Sequence, residues 1–203
     1  MAKAQRLAAR PTRNRTRLLD RLDQTGRIVA DAHDRLAAAA ERDHNVGPAG
    51  EWLLDNIHVV QEHILEVRES LPRGYYRELP ELAGGPLAGY PRVYEIAISL
   101  ISHTEARVEL DDLTLFVAAF QEVSPLRIGE LWALPAMLRL GLIESVRRMG
   151  LRSVRRLKEM ETADTWAGRL TEAARDGDGS LEETLADFLE RPPELSPTFV
   201  SRF

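Results

Sequence analysis

A chain of 203 residues, 44% of them hydrophobic and with a net charge of -5, has the apolar material for a real core and lacks the basic surplus of a nucleic-acid binder. It contains no cysteine, which excludes disulfides, thiolate zinc sites and cysteine nucleophiles. Lys3 and Lys158 are the only lysines among 27 basic residues, a bias that fits the coding of a GC-rich bacterium.

The arginine-rich start, Met1 to Arg21, has no apolar stretch or small-residue cleavage site of a secretory leader. From about Arg15 to Arg42 the apolar residues Leu18, Leu22, Ile28, Val29, Ala32 and Leu36 recur at helical spacing, with Gly26 as a weak point. Gly47-Pro48-Ala49-Gly50 breaks the pattern, and a second helix is expected from about Glu51 to Ser70 with a buried stripe of Trp52, Leu53, Ile57, Val60, Ile64 and Val67. Leu71 to Tyr90 holds three prolines and four glycines, so it forms neither a regular helix nor a good strand. Its tyrosines and leucines predict that it packs on the helices.

Pro91 opens a third helix, which runs to about His103, and Asp111 is placed to cap a fourth, which ends near Val123. A fifth runs from about Ile128 through Arg156 and as far as Arg175. Its stripe is Leu131, Leu134, Leu138, Leu142 and Val146, and Pro135 and Gly150 are its expected kinks or breaks. Ser180 with Glu183 reads as a capping box before Leu181, Leu185, Phe188 and Leu189. Ser196-Pro197 starts another helix that stops at Phe203 within about two turns. An unpartnered helix so short is marginal in water, so the chain is expected to continue. The fold class is all-α, an irregular bundle of about six helices with a long Pro/Gly-rich loop. Its expected regions are an N-terminal long helix (1–46), a helical core region (47–175), and a linker with cut C-terminal helices (176–203). No apolar run approaches the roughly 20 residues of a membrane-spanning helix, and a cytoplasmic location follows as the expectation.

Chemistry is sparse. His58 and His63 lie five apart beside Asp55, Glu62 and Glu66, without the spacing that aims two histidines at one metal, so a solvated helix face is the better reading. Asp176-Gly177-Asp178 has the composition of a turn and fails as a calcium loop. Glu51, Glu130 and Glu144 are the candidates for a glycosidase pair of carboxylates, although glutamates on helices are usually surface residues. No catalytic, cofactor-binding or metal-ligating residue is therefore assigned. Arg147, Arg148, Arg152, Arg155 and Arg156, with Lys158, form a basic patch that fits either an anionic membrane surface or a solvated face paired with Glu144, Glu159 and Glu161.

Several strings carry a family resemblance. They are PAGEWLLDN (48–56), LPRGYYRELPEL (71–82), GPLAGYPRVY (85–94), PLRIGELWALPAMLRLGLIE (125–144) and LSPTFVSRF (195–203). As a set they resemble the N-terminal region of cyclic β-1,2-glucan synthases, multi-domain bacterial inner-membrane enzymes with glycosyltransferase family 84 and glycoside hydrolase family 94 modules. The resemblance implies glucosyl transfer from UDP-glucose by the full enzyme, with a divalent metal, in modules outside these residues. For this segment it implies a supporting role at the inner face of the membrane, with the remaining synthase domains as partners and no nucleic acid. Trp52, Tyr75, Tyr76, Tyr90, Tyr94 and Trp132 are the expected structural or interface anchors, since such rings join large apolar area to a polar tip. The competing reading is a free-standing helical adaptor for a protein partner or a membrane surface.

Overall fold

The computed structural model describes residues 5–8, 17–76, 78–104, 106–177 and 179–203. Among them it is all-α, with α1 (Arg17–Ala40), α2 (Gly47–Ser70), α3 (Arg73–Tyr76), α4 (Arg92–His103), α5 (Leu110–Val123), α6 (Ile128–Asp176), α7 (Ser180–Glu190) and α8 (Pro197–Arg202). The count is close to the expected six: α8 is the short helix expected after Ser196, and the single turn α3 falls in the Pro/Gly-rich segment. None is long and apolar enough to cross a membrane. Two compact units are present, Met1–Asp31 with Asp55–Met149, and Ala32–Leu54 with Gly150–Phe203.

Several ends differ from expectation for local reasons. The break at Gly47 is shorter than the Pro and Gly content implied, because the Asn45 side chain accepts from the Gly47 N–H at 2.8 Å and α2 starts there. Asp111 is not the cap of α5. Glu109 occupies that position without a side-chain hydrogen bond, and Asp111 and Asp112 fall in the first turn, where negative charge suits the helix dipole. The capping box at Ser180 does not form: the cap is Gly179, at φ +78°, a backbone state glycine enters without strain. Pro135 does not end α6, which continues as helix to Asp176.

In the first unit the Pro/Gly-rich segment is ordered by its backbone. The Leu82 N–H donates to the Tyr90 carbonyl at 2.9 Å and that of Arg92 to Pro80 at 2.9 Å. Residues 6–8 run beside it, the Ala83 N–H donating to Arg6 at 2.7 Å and that of Ala8 to Glu81 at 2.9 Å, a pairing the sequence did not announce. Leu79, Leu82 and Tyr76 of this segment are buried, as their apolar character predicts. The core is completed by Leu18, Leu22 and Val29 of α1, Val60 and Val67 of α2, one side of α4, and α6 from Ala133 to Glu144. Trp52, expected in the buried stripe of α2, is 45% exposed, because Leu53, Val60 and Val67 already fill the inward face at steps of seven.

In the second unit small residues set the spacing. A Cβ on Gly150 would lie 3.1 Å from the Ala32 Cβ and 3.3 Å from Leu53 Cδ2. The α8 helix is not unpartnered: Phe199 is buried, its ring stacks on Phe203 at 5.4 Å, and Arg202 pairs with Asp164 at 2.6 Å. Phe188 of α7 meets Trp166 edge-on at 5.1 Å, with Arg169 over the indole at 4.2 Å.

Close approach in the first unit generates a test. A Cβ on Gly141 would lie 2.4 Å from Ile101 Cδ1, in a place already filled. Gly141→Val is expected to lower stability by about 1–3 kcal/mol through overpacking, read as a lower urea midpoint with an unchanged slope.

Candidate functional site

Glu130 and Glu144 sit fourteen positions apart on α6, with Met137 midway between them. Steps of seven return to the same side of a helix, so a face that buries Met137 buries both carboxylates, and all three are at most 1% exposed. The expectation that these glutamates are surface residues is overturned. The leucine stripe is displaced for the same reason: Leu134 and Leu138 are buried, whereas Leu131, Leu142 and Val146 are half-buried.

Each carboxylate meets a guanidinium. Arg92, in the first turn of α4, donates through Nε to Glu130 Oε1 and through Nη2 to Oε2, both at 2.7 Å. Its remaining donors reach Ser124 Oγ at 2.7 Å and the Pro125 carbonyl at 2.9 Å, and Glu130 also accepts from the Arg127 N–H at 3.0 Å. One buried pair thus fixes the corner between α5 and α6. Fourteen residues along a helix span roughly 21 Å, well beyond the roughly 5–10 Å that two glycosidase carboxylates need. Glu130 and Glu144 therefore cannot act on one glycosidic bond, and Glu51 is exposed.

Glu144 accepts from both Nε and Nη2 of Arg21, the latter at 2.8 Å, and from the Tyr94 hydroxyl at 2.7 Å. The Arg21 guanidinium also lies 5.8 Å from the Tyr90 ring centre and 6.0 Å from that of Tyr94, and the two rings are 5.5 Å apart. Burial pushes the Glu144 carboxyl up, but the bonds from Arg21 and Tyr94 outweigh it and hold the group below the usual carboxylate range. The hydrogen bond to Glu144 raises Arg21 above its ordinary value, and burial followed by the Glu144 charge raises Tyr94. This is a closed, charge-matched network with no free acid or base.

The expected anchors divide. Tyr94 and Tyr76 are buried, and Tyr75 and Tyr90 are half-buried, with the Tyr75 hydroxyl donating to the Gly129 carbonyl. Trp132 is 77% exposed and Trp52 also faces outward, so neither is a core anchor. His58 is exposed, while His63 bonds Glu66 at 2.9 Å and Glu66 meets Arg139 at 3.2 Å, a half-buried chain of pairs. No metal-binding cluster occurs among the described residues. Asp178 of the Asp-Gly-Asp turn lies outside them. Of the basic patch, Arg148 is exposed and bonds Ser145 at 2.8 Å, and Arg147 is half-buried. In the second unit Arg152, Arg155 and Arg156 are exposed, with Arg155 held by Glu159 at 2.9 Å and by Glu194. The pocket beside Arg21, lined also by Gln24, Thr25, Ile28 and Arg147, is about 130 Å³, below the size of a ligand cleft. An open groove of about 550 Å³ between Gly26 and Ile64 is lined by Asp23, Arg27, Gln61, Leu65 and Arg68, with no nucleophile.

Arg21 and Arg92 were not singled out from the sequence. Arg92 and Tyr94 stand in GPLAGYPRVY, and Glu130 and Glu144 in the 125–144 string, so the strings that carried the resemblance meet in these networks. No family profile matches the chain. A curated relative does: the chain is 46% identical over 132 residues to cyclic beta-(1,2)-glucan synthase NdvB of Rhizobium meliloti (strain 1021). The chain resembles a cyclic β-1,2-glucan synthase. The match takes in 63% of this chain and spans only 5% of the length of that synthase.

Two outcomes follow for the networks. Glu130→Ala leaves Arg92 buried without a counter-charge and is expected to destabilise by about 3–5 kcal/mol, whereas replacing both Arg92 and Glu130 by apolar residues of similar volume recovers most of the loss; chemical denaturation of the three proteins checks this. Glu144 has a folded pKa below its unfolded one, so its contribution is present above the ordinary carboxylate range and disappears as pH falls through the folded value. The urea midpoint should drop on acidification from pH ~7 to pH ~3, and the Glu144→Gln protein should show a smaller drop.

Proposed function

We propose that this chain is a non-catalytic helical segment of a cyclic β-1,2-glucan synthase, acting as scaffold or inter-domain contact while other modules transfer glucose from UDP-glucose. The observation that carries this is the 46% identity to a stretch amounting to 5% of such an enzyme. The site supports it, because the two buried carboxylates are each matched by a guanidinium. UDP-glucose and its divalent metal then belong to the rest of the synthase. The location proposed is the cytoplasmic face of the bacterial inner membrane, with the exposed arginines of α6 toward anionic lipid, each worth about 1 kcal/mol near such a surface.

The second reading is a free-standing helical adaptor, favoured by the large apolar residues on the surface, Trp132 foremost. An antibody against this chain separates the two. A membrane-bound band of very high mass in the source bacterium, together with no UDP release when the isolated chain is given UDP-glucose and magnesium, is the expected result. A single soluble band near 22.8 kDa would overturn the synthase reading in favour of the adaptor. UDP release by the chain alone would overturn its non-catalytic character.

A further inference from the structure

α5 is the thinly covered helix of the first unit. Phe120 is its buried residue, with Leu113, Phe116 and Val117 half-buried on the same side. The opposite side carries Thr114, Leu115, Ala118 and Ala119, all exposed, and no charged residue falls between Asp112 and Glu122. More than two turns of outward surface are uncharged, where a solvated helix face is charged or polar. Leu110 and Leu115 are 76% and 71% exposed, and just past the corner Ile128 and Trp132, one turn apart on α6, are 76% and 77% exposed.

The mount is rigid. Arg92 holds Ser124, the Pro125 carbonyl and Glu130 together, so the corner presenting these residues is fixed by a buried ion pair. Exposed apolar residues gathered on a pre-ordered mount mark an interaction surface, and a bare tryptophan beside them is the residue type that carries most of the binding energy at such surfaces. Its edge is net acidic, with Glu109, Asp111 and Asp112 at the start of α5 and Glu122 near its end against the exposed Arg107 and Arg127. Such an edge is repelled by anionic lipid and by the same face of a second copy, and it is complemented by basic residues. Ala118 and Ala119 beside Leu115 leave a shallow bed on which a helix can lie close.

We infer that the outward face of α5 docks an amphipathic α-helix, apolar along its centre and edged with arginine or lysine, from another part of the synthase polypeptide. The inference rests on the scaffold role proposed above. It names the surface that performs that role and the chemistry of what it holds.

The test places a photoreactive benzophenone side chain at Ala119 of the full chain in the source bacterium, with a control at the exposed Glu69, and identifies the cross-linked peptide by mass spectrometry. The expected adduct is an apolar helical segment flanked by arginine or lysine, within a glucan synthase polypeptide. Leu115→Glu should lower its yield roughly tenfold with unchanged helical circular dichroism and thermal midpoint. An adduct of that chemistry in a different polypeptide upholds the docking face while removing the synthase reading. An adduct to phospholipid, to the same face of a second copy, or at a yield no higher than the control overturns the inference, as does a Leu115→Glu yield equal to the parent's.

Discussion

Two carboxylates on the inner face of α6 constrain the first unit more than any apolar contact does. Removing an ionised carboxyl from water carries a penalty of several kcal/mol, and only a close, fully hydrogen-bonded cation offsets it. Glu130 and Glu144 are therefore compatible with this core only if Arg92 and Arg21 arrive with their guanidinium planes in register. That requirement fixes where the first turn of α4 and the first half of α1 lie against α6. It also orders the corner at Ser124 and Pro125, because Arg92 spends its remaining donors there.

The same matching decides the chemistry. A general acid or base needs a titration poised near the working pH and access to a substrate. Glu144 is held in its charged form by Arg21 and Tyr94, and Tyr94 is held neutral by burial and by the neighbouring charge. Each group is locked in one state. The polar interior thus specifies geometry, a role consistent with a segment whose similarity extends over a small part of a much larger enzyme.

The second unit is organised by size and by aromatic contact. Gly150 against Ala32 and Leu53 permits close approach of backbones, and Trp166, Phe188, Phe199 and Phe203 form a chain of ring contacts. α7 buries no residue fully, and its Leu181, Leu185 and Leu189 face outward at steps of four, so its attachment runs through Phe188 and the Arg169–Asp187 pair.

Periodicity, proline and glycine determined the class and the approximate placing of the long helices, because those depend on local backbone sterics and on a face repeating every three or four residues. The motif strings likewise identified the relative without reference to any contact. Which face of α6 points inward was readable in principle, since Glu130, Met137 and Glu144 share a side, but a glutamate on a helix reads as exposed until a cation is known to reach it. Arg21 and Arg92 lie 123 and 38 positions from their partners, a separation no local pattern encodes. Trp52 erred the opposite way: its apolar surface argued for burial, and only the filled inward face of α2 left it outside. The sequence by itself determined what can be helical and what can be buried. Tertiary structure alone decided which charges are buried and which rings are left at the surface, because both depend on partners brought together only when distant segments pack.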